Sequence, residues 1–297
     1  MVFLKDGKTL EEAMNVKVVG DDDAEETIVL AHGFGGTQDQ WTHVVNSLAN
    51  HMSSACRVVL LDWPGACATD PDDFDEAVPS IFDPKSSSLY DDFANLLNAL
   101  LQELHIESCS FVGHSMSAMI GCIAALDCPH LFKKLILIGA SPRYLNDRDY
   151  YGGFEQEDLE HMFGAMEADF EGWAANFAAA VVGMEADQDA IDAFSQTLSS
   201  MRPEVAVAMA KAIFESDYRG TVEELMLKQR GECMPEVHVL QTCKDLAVPL
   251  LVSDYLKQQY VGGSNSNGYL EILQTEGHIP QLSDPKLFCA ALLRHLE

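Results

Sequence analysis

The sequence predicts an α/β fold: a mostly parallel central sheet flanked by helices, with a four-helix lid inserted between two of its later strands. Three observations carry this. Short apolar runs alternate with helical patterns along most of the chain, the signature of strands joined by crossover helices. The runs are apolar throughout instead of alternating, as expected of strands covered on both faces. Between residue 141 and about residue 217 no strand-like run occurs, although such runs stand before and after.

Taken in order, residues 27–31 (TIVLA) form the first clear strand, ending at His32-Gly33-Phe34-Gly35-Gly36. Residues 57–61 (RVVLL) form the second, ending at Asp62, and residues 110–113 the third, running into Ser115. Further strands are expected at 135–138, 237–241 and 270–273. Residues 90–104 place Phe93, Leu96, Leu97, Leu100, Leu101 and Leu104 at helical spacing, and 116–126 form an apolar helix. The strandless stretch divides into helices at 156–166, 169–182, 187–200 and 203–216. Pro203 suits a first helical turn, where its missing N–H costs nothing. The expected division is a core of residues 1–140 and 218–297 with a lid at 141–217 over the strand ends, where ligands bind in such sheets. Polar stretches at 71–88 and 262–268 are expected as surface loops.

Charge and cysteine usage narrow the function classes. The formal net charge of -29 repels phosphate backbones and anionic lipids, which argues against nucleic acid and membrane as partners. The eight cysteines contain no C-x-x-C pair, so a disulfide framework or zinc site is not expected and a reducing compartment is. No phosphate loop or dinucleotide fingerprint occurs, so neither cofactor nor metal is expected. Residues 1–10 carry no signal-peptide run and no segment reaches membrane-spanning length. A cytoplasmic and nuclear location is the resulting expectation.

The strongest local signal is Gly113-His114-Ser115-Met116-Ser117, set between a strand and a helix. A nucleophile elbow reads G-x-S-x-G because small residues allow the sharp turn that exposes the serine hydroxyl. Ser117 is small, though not glycine; the bland alternative for Ser115 is a helix N-cap. A serine needs a base and an orienting acid, and in the α/β-hydrolase fold these follow in the order Ser, Asp or Glu, His. Asp245 and His278 each follow a predicted strand in that order. Asp254 is the nearest rival acid. His238 falls inside a strand, and His295 lies near the end of the last helix, where a cation suits the helix dipole. His278 is expected on an exposed loop. The backbone N–H groups of Phe34 and Met116 are the expected oxyanion hole.

These motifs also carry a resemblance. The elbow continued through Ala118-Met119-Ile120-Gly121 resembles that of the plant karrikin/strigolactone receptor-hydrolases, in which serine at the position of Ser117 is usual. The likeness continues in Ser141-Pro142-Arg143-Tyr144, Tyr151-Gly152-Gly153-Phe154-Glu155-Gln156, Lys244-Asp245-Leu246-Ala247-Val248-Pro249 and Gly277-His278-Ile279-Pro280-Gln281-Leu282. It is closer to the karrikin-receptor branch. The resemblance implies a slow serine hydrolase with a V-shaped lid over an apolar pocket for butenolides. It also implies recruitment of a leucine-rich-repeat F-box protein and Clp-ATPase-like repressors when ligand binding changes the lid. Matching positions imply a pocket lined by Phe34, Tyr144, Phe154, Met162, Phe177, Phe194, Phe214, Leu246 and Ala247. On helical spacing alone, Phe177 and Phe194 could equally pack the lid against itself. The sequence departs from the family at Leu61-Asp62-Trp63-Pro64-Gly65-Ala66-Cys67, in the altered and longer stretch 71–88, and in enlarged stretches at 221–235 and 261–268. Met162 stands where leucine is expected. Two other functions fit the same residues: an ordinary carboxylesterase without signalling, and a binding protein with an idle triad.

Overall fold

The computed structural model describes residues 9–21, 24–51, 56–66, 89–183, 185–228, 234–260 and 268–297. The loop expected at 71–88 lies outside them, as do 229–233 and 261–267 within the stretches expected to be enlarged. The first half runs α1 (Leu10–Ala13), β1 (Lys17–Gly20), β2 (Glu26–Ala31), α2 (Thr42–His51), β3 (Cys56–Leu61), α3 (Leu89–Glu103), β4 (Cys109–His114), α4 (Met116–Asp127) and β5 (Phe132–Ile138). Four helices follow: α5 (Gln156–Ala168), α6 (Phe170–Val182), α7 (Gln188–Ser199) and α8 (Pro203–Phe214). The chain then continues through α9 (Arg219–Lys228), β6 (Glu236–Lys244), α10 (Leu250–Tyr260), β7 (Gly268–Glu276), α11 (Pro280–Ser283) and α12 (Pro285–Leu296).

The seven strands align as β1-β3-β2-β4-β5-β6-β7. Only β1 is antiparallel to its neighbour; every other pair is parallel. The chain steps from β2 to β3 on one side and then to β4 on the other, so the order reverses between β2 and β4. Loops leaving the two strands there diverge and open a crevice at their carboxyl ends.

Both faces of the sheet are covered, which explains the unbroken apolar runs. Along β2, Val29 and Ala31 join the core under α3 and α4, while Ile28 and Leu30 face Val44 and Leu48 of α2 and Phe288 and Leu292 of α12. Strand side chains alternate between faces, so a strand sandwiched between helix layers must be apolar at every position. Helix α4 is buried from Met116 through Ala125 because it lies between the sheet and α3.

The α5–α8 segment is held by two helix pairs, α5 on α8 and α6 on α7. Asp169 caps α6 by accepting from Gly172 N at 3.1 Å, and Asp187 caps α7 from Asp189 N at 3.1 Å. Pro203 occupies the first turn of α8. The two ends of the segment meet at its base, where Tyr218 N donates to Pro142 O at 2.7 Å. There Arg143 pairs with Asp217 at 2.8 Å, and Arg219 bridges Asp217 and Asp147 at 2.6 and 3.0 Å.

The structure extends each expected strand by one to three residues at one or both ends. It adds β1, whose four residues KVVG are mostly exposed and carry too little apolar pattern to register as a strand.

Candidate active site

Three strand ends converge on the crevice. β4 delivers Ser115 into α4 through a strained backbone, φ 57° and ψ -119°; a non-glycine residue takes positive φ only where its surroundings enforce it. Ser115 N donates to Ile138 O at 2.8 Å, tying the turn to β5. The residue stands at the N-cap position of α4, yet its side chain makes no cap hydrogen bond. Its Oγ instead lies 2.8 Å from Nε2 of His278.

Beyond β6, the Asp245 carboxylate meets Nδ1 of His278 at 2.8 Å. A carboxylate only accepts, so neutral His278 carries its proton on Nδ1 and turns an accepting Nε2 toward the Ser115 hydroxyl. The other Asp245 oxygen accepts from Ala247 N at 2.8 Å and Val248 N at 3.0 Å, and Gln241 Nε2 donates to Oδ2 at 2.9 Å. Burial opposes the charge of Asp245, but His278 and these donors outweigh it and hold the carboxyl below its ordinary value.

His278 is buried, at 7% exposure, and does not sit on an exposed loop as expected. The reason is the α6 terminus packed upon it: His278 N donates to Val181 O at 2.6 Å. A side chain on the preceding Gly277, at φ 93°, would meet Val182 O at 2.0 Å. From below, His114 Nε2 lies 2.9 Å from His278 O. Burial, reinforced by the neighbouring His278, pushes His114 down to about 3, so it is neutral and donates this bond.

On the other wall, Gly33 allows the segment after β2 to approach the elbow. A Cβ there would come within 2.7 Å of His114 Nδ1 and 2.9 Å of Ser115 Cβ. Phe34 therefore lines the same cavity as Ser115. Met116 opens α4, and the N–H of a first helical residue has no acceptor within its helix. Both candidate oxyanion donors thus belong to segments that flank Ser115.

The cavity above the triad encloses about 20 Å³, room for roughly one water. Phe34, Tyr144, Phe177, Phe194, Phe214 and Ala247 line it. Val181, Ile213, Ile279 and His114 line it as well and were missed. Val181 stands one helical turn beyond Phe177, so helical spacing could have found it.

Three expected lining residues lie elsewhere. Leu246 is 70% exposed: Asp245 accepts from the N–H groups of both Ala247 and Val248, and this tight turn throws Leu246 outward. Phe154 stands behind the wall, its ring 5.5 Å from that of Phe214 and 6.5 Å from that of Tyr144. Met162 is partly buried against the core and does not line the cavity. The rivals also lie apart. Asp254 lines a separate surface cleft, while His238 and His295 meet each other at 2.8 Å. Among the described residues, no three His, Cys, Asp or Glu side chains converge as a metal would require.

The geometry agrees with three likenesses to known proteins. Residues 26–285 match the family described as the alpha/beta hydrolase fold. The chain is 44% identical over 287 residues to the karrikin insensitive 2 receptor CA of Petunia hybrida, covering 97% of each. It is 42% identical to a strigolactone esterase of Arabidopsis thaliana, covering 96% of this chain and 97% of that one. Among solved structures, a hydrolase from Oleispira antarctica superposes with a TM-score of 0.83 at 28% identity, covering 97% of this chain and 96% of that one. The chain belongs to the alpha/beta hydrolase family, in the group that holds the karrikin insensitive 2 receptors and strigolactone esterases.

Proposed function

We propose that the protein is a slow serine hydrolase that serves as a receptor for a butenolide, of the karrikin-derived or strigolactone-like kind. The observation that carries this reading is the unbroken relay Asp245–His278–Ser115 beneath an aromatic cavity that is almost closed. Ser115 attacks the ester or lactone carbonyl while His278 Nε2 takes its proton. The carbonyl oxygen, now negative, turns to the N–H groups of Phe34 and Met116. Collapse expels the alcohol or enol, which His278 protonates, and water then releases the acyl group by the same steps. Asp245 keeps His278 in the required tautomer and balances the imidazolium charge.

A cavity holding about one water cannot take a butenolide ring unless the α5–α8 lid gives way. Ligand binding and a changed lid surface are thereby one event, which suits a receptor and slows turnover. On this reading the changed surface recruits a leucine-rich-repeat F-box protein and Clp-ATPase-like repressors in the cytoplasm and nucleus. Among the described residues no helix is long and apolar enough to cross a membrane.

The test is incubation with a synthetic strigolactone analogue, following cleavage by mass spectrometry and Tm by thermal shift. Wild type should cleave the analogue slowly and shift in Tm, and Ser115→Ala should lose cleavage by on the order of 10³-fold or more. Cleavage unchanged in Ser115→Ala would remove the nucleophile assignment. Rapid turnover of simple aryl esters with no Tm response would favour an ordinary carboxylesterase, and binding without cleavage by wild type an idle triad.

A further inference from the structure

The loop after β3 departs from the family pattern, and its Trp63 has no part in the relay above. Trp63 is fully buried, and its ring stacks on Phe93 of α3 with centroids 5.0 Å apart and planes 2° apart. From there its indole Nε1 donates to Ser117 Oγ at 2.7 Å and to His32 O at 3.1 Å. Ser117, also fully buried, passes the contact on: its hydroxyl donates to His32 O at 2.5 Å. Ser117 thus does what the glycine of a standard elbow could not. It joins the elbow, the β3 loop and the strand that leads to Phe34.

The backbone of Trp63, apart from its indole, sets the proton on His32. Trp63 N donates to His32 Nε2 at 3.1 Å, so Nε2 is an acceptor. Burial keeps His32 neutral, outweighing the pull of Asp62. Its one ring proton is therefore on Nδ1, which lies 2.8 Å from Gly33 O and donates to it. Gly33 O and the Phe34 N–H belong to one planar peptide group. Gly36 N also donates to Gly33 O, at 3.2 Å. Fixing that oxygen fixes the direction of the N–H on the opposite edge, and donors on the oxygen make that N–H a stronger donor.

We infer that the Trp63 indole and the Ser117 hydroxyl, by fixing the His32 carbonyl, hold the main chain that leads into the Gly33–Phe34 peptide and so are positioning residues for the oxyanion-binding N–H of Phe34. The inference rests on the hydrolase reading above. It concerns the step at which charge develops on the carbonyl oxygen, and not the binding of the ester itself.

The test uses p-nitrophenyl acetate with wild type, Trp63→Phe, Ser117→Ala and the double variant. Trp63→Phe keeps a ring to stack on Phe93 and deletes only the indole donor. Each single variant should lower kcat about tenfold with KM nearly unchanged, a fraction of the loss on deleting an oxyanion donor outright. Affinity for phenylboronic acid, whose tetrahedral adduct places an oxygen in the hole, should fall by the same factor. The double variant should lose little more than the worse single one, because the residues act in one chain. Titration of Ser115 with a fluorophosphonate counts competent sites, so that kcat is expressed per active site.

Two outcomes overturn the inference: variants that match wild type per site, or losses that vanish once the fraction of competent sites is counted. A wild type that neither turns over ester nor reacts at Ser115 removes the hydrolase reading itself, and this inference with it. Wild-type turnover matched by both variants removes the inference alone.

Discussion

Asp245 is the residue on which the site's electrostatics turn. One of its oxygens is spent on the backbone of its own loop and the other on His278 and Gln241. In Asp245→Asn the amide can still serve the loop, but an N–H₂ facing His278 Nδ1 would force the proton to Nε2, where it faces Ser115. We expect kcat for aryl esters to fall by on the order of 10³–10⁴-fold with the fold intact, checked by steady-state kinetics beside a thermal melt. The carboxyl is held below its ordinary value, so its contribution to stability is present above the unfolded carboxylate range and is lost as pH falls through the folded value. The meeting of Ser115, Asp245 and His278 was legible because each follows a strand end. Leu246 was not, since the turn that expels it is made by hydrogen bonds no apolar pattern encodes. Nor was the contact between Trp63 and Ser117, which spans 54 positions and carries no periodic signal.

Among elements, the junction of β6 with α12 makes the fold sensitive to acid. His238 on β6 and His295 on α12 face each other through their Nδ1 atoms at 2.8 Å, a contact that works only if one of them accepts. Glu236 lies 3.3 Å from His238 and Glu271 lies 2.8 Å from His295. Arg294 pairs with Glu271, Lys134 caps the end of α12, and Tyr269 packs on the His238 ring. Burial first and His295 second push His238 down to about 4. The unfolded chain takes up that proton at the higher, ordinary histidine value, so stability is full above about pH 6.5 and declines as pH falls toward 4. We expect Tm to drop across that window, and His238→Gln to flatten the drop, as measured by melts in a pH series. At this scale the strands and the four inserted helices were legible from apolar runs and spacing. β1, α1 and α11 were not, being four residues each, too short for either period to repeat.

Across the whole molecule, 47 carboxylates against 18 lysines and arginines make the folded state repel itself. Added salt screens such repulsion over roughly 10 Å at 0.1 M. Raising sodium chloride from 10 to about 150 mM should therefore raise Tm by a few degrees, whereas a chain held chiefly by exposed ion pairs would lose stability. The fold class was legible at this scale because a sheet covered on both sides leaves its mark in every strand. The small cavity was not, since its volume depends on how the side chains of α5–α8 settle, and composition carries no such information.

The chain on either side of the α5–α8 segment is joined at its base, by Tyr218 N to Pro142 O and by Arg143 to Asp217. The chain therefore leaves the core and returns to it at nearly the same point. In architectural terms the helices form a closed loop on the sheet, with a second fastening where the end of α6 meets His278. Changes in the segment that spare Val181 and Val182, which hold the backbone at Gly277 and His278, should leave Ser115, Asp245 and His278 in place.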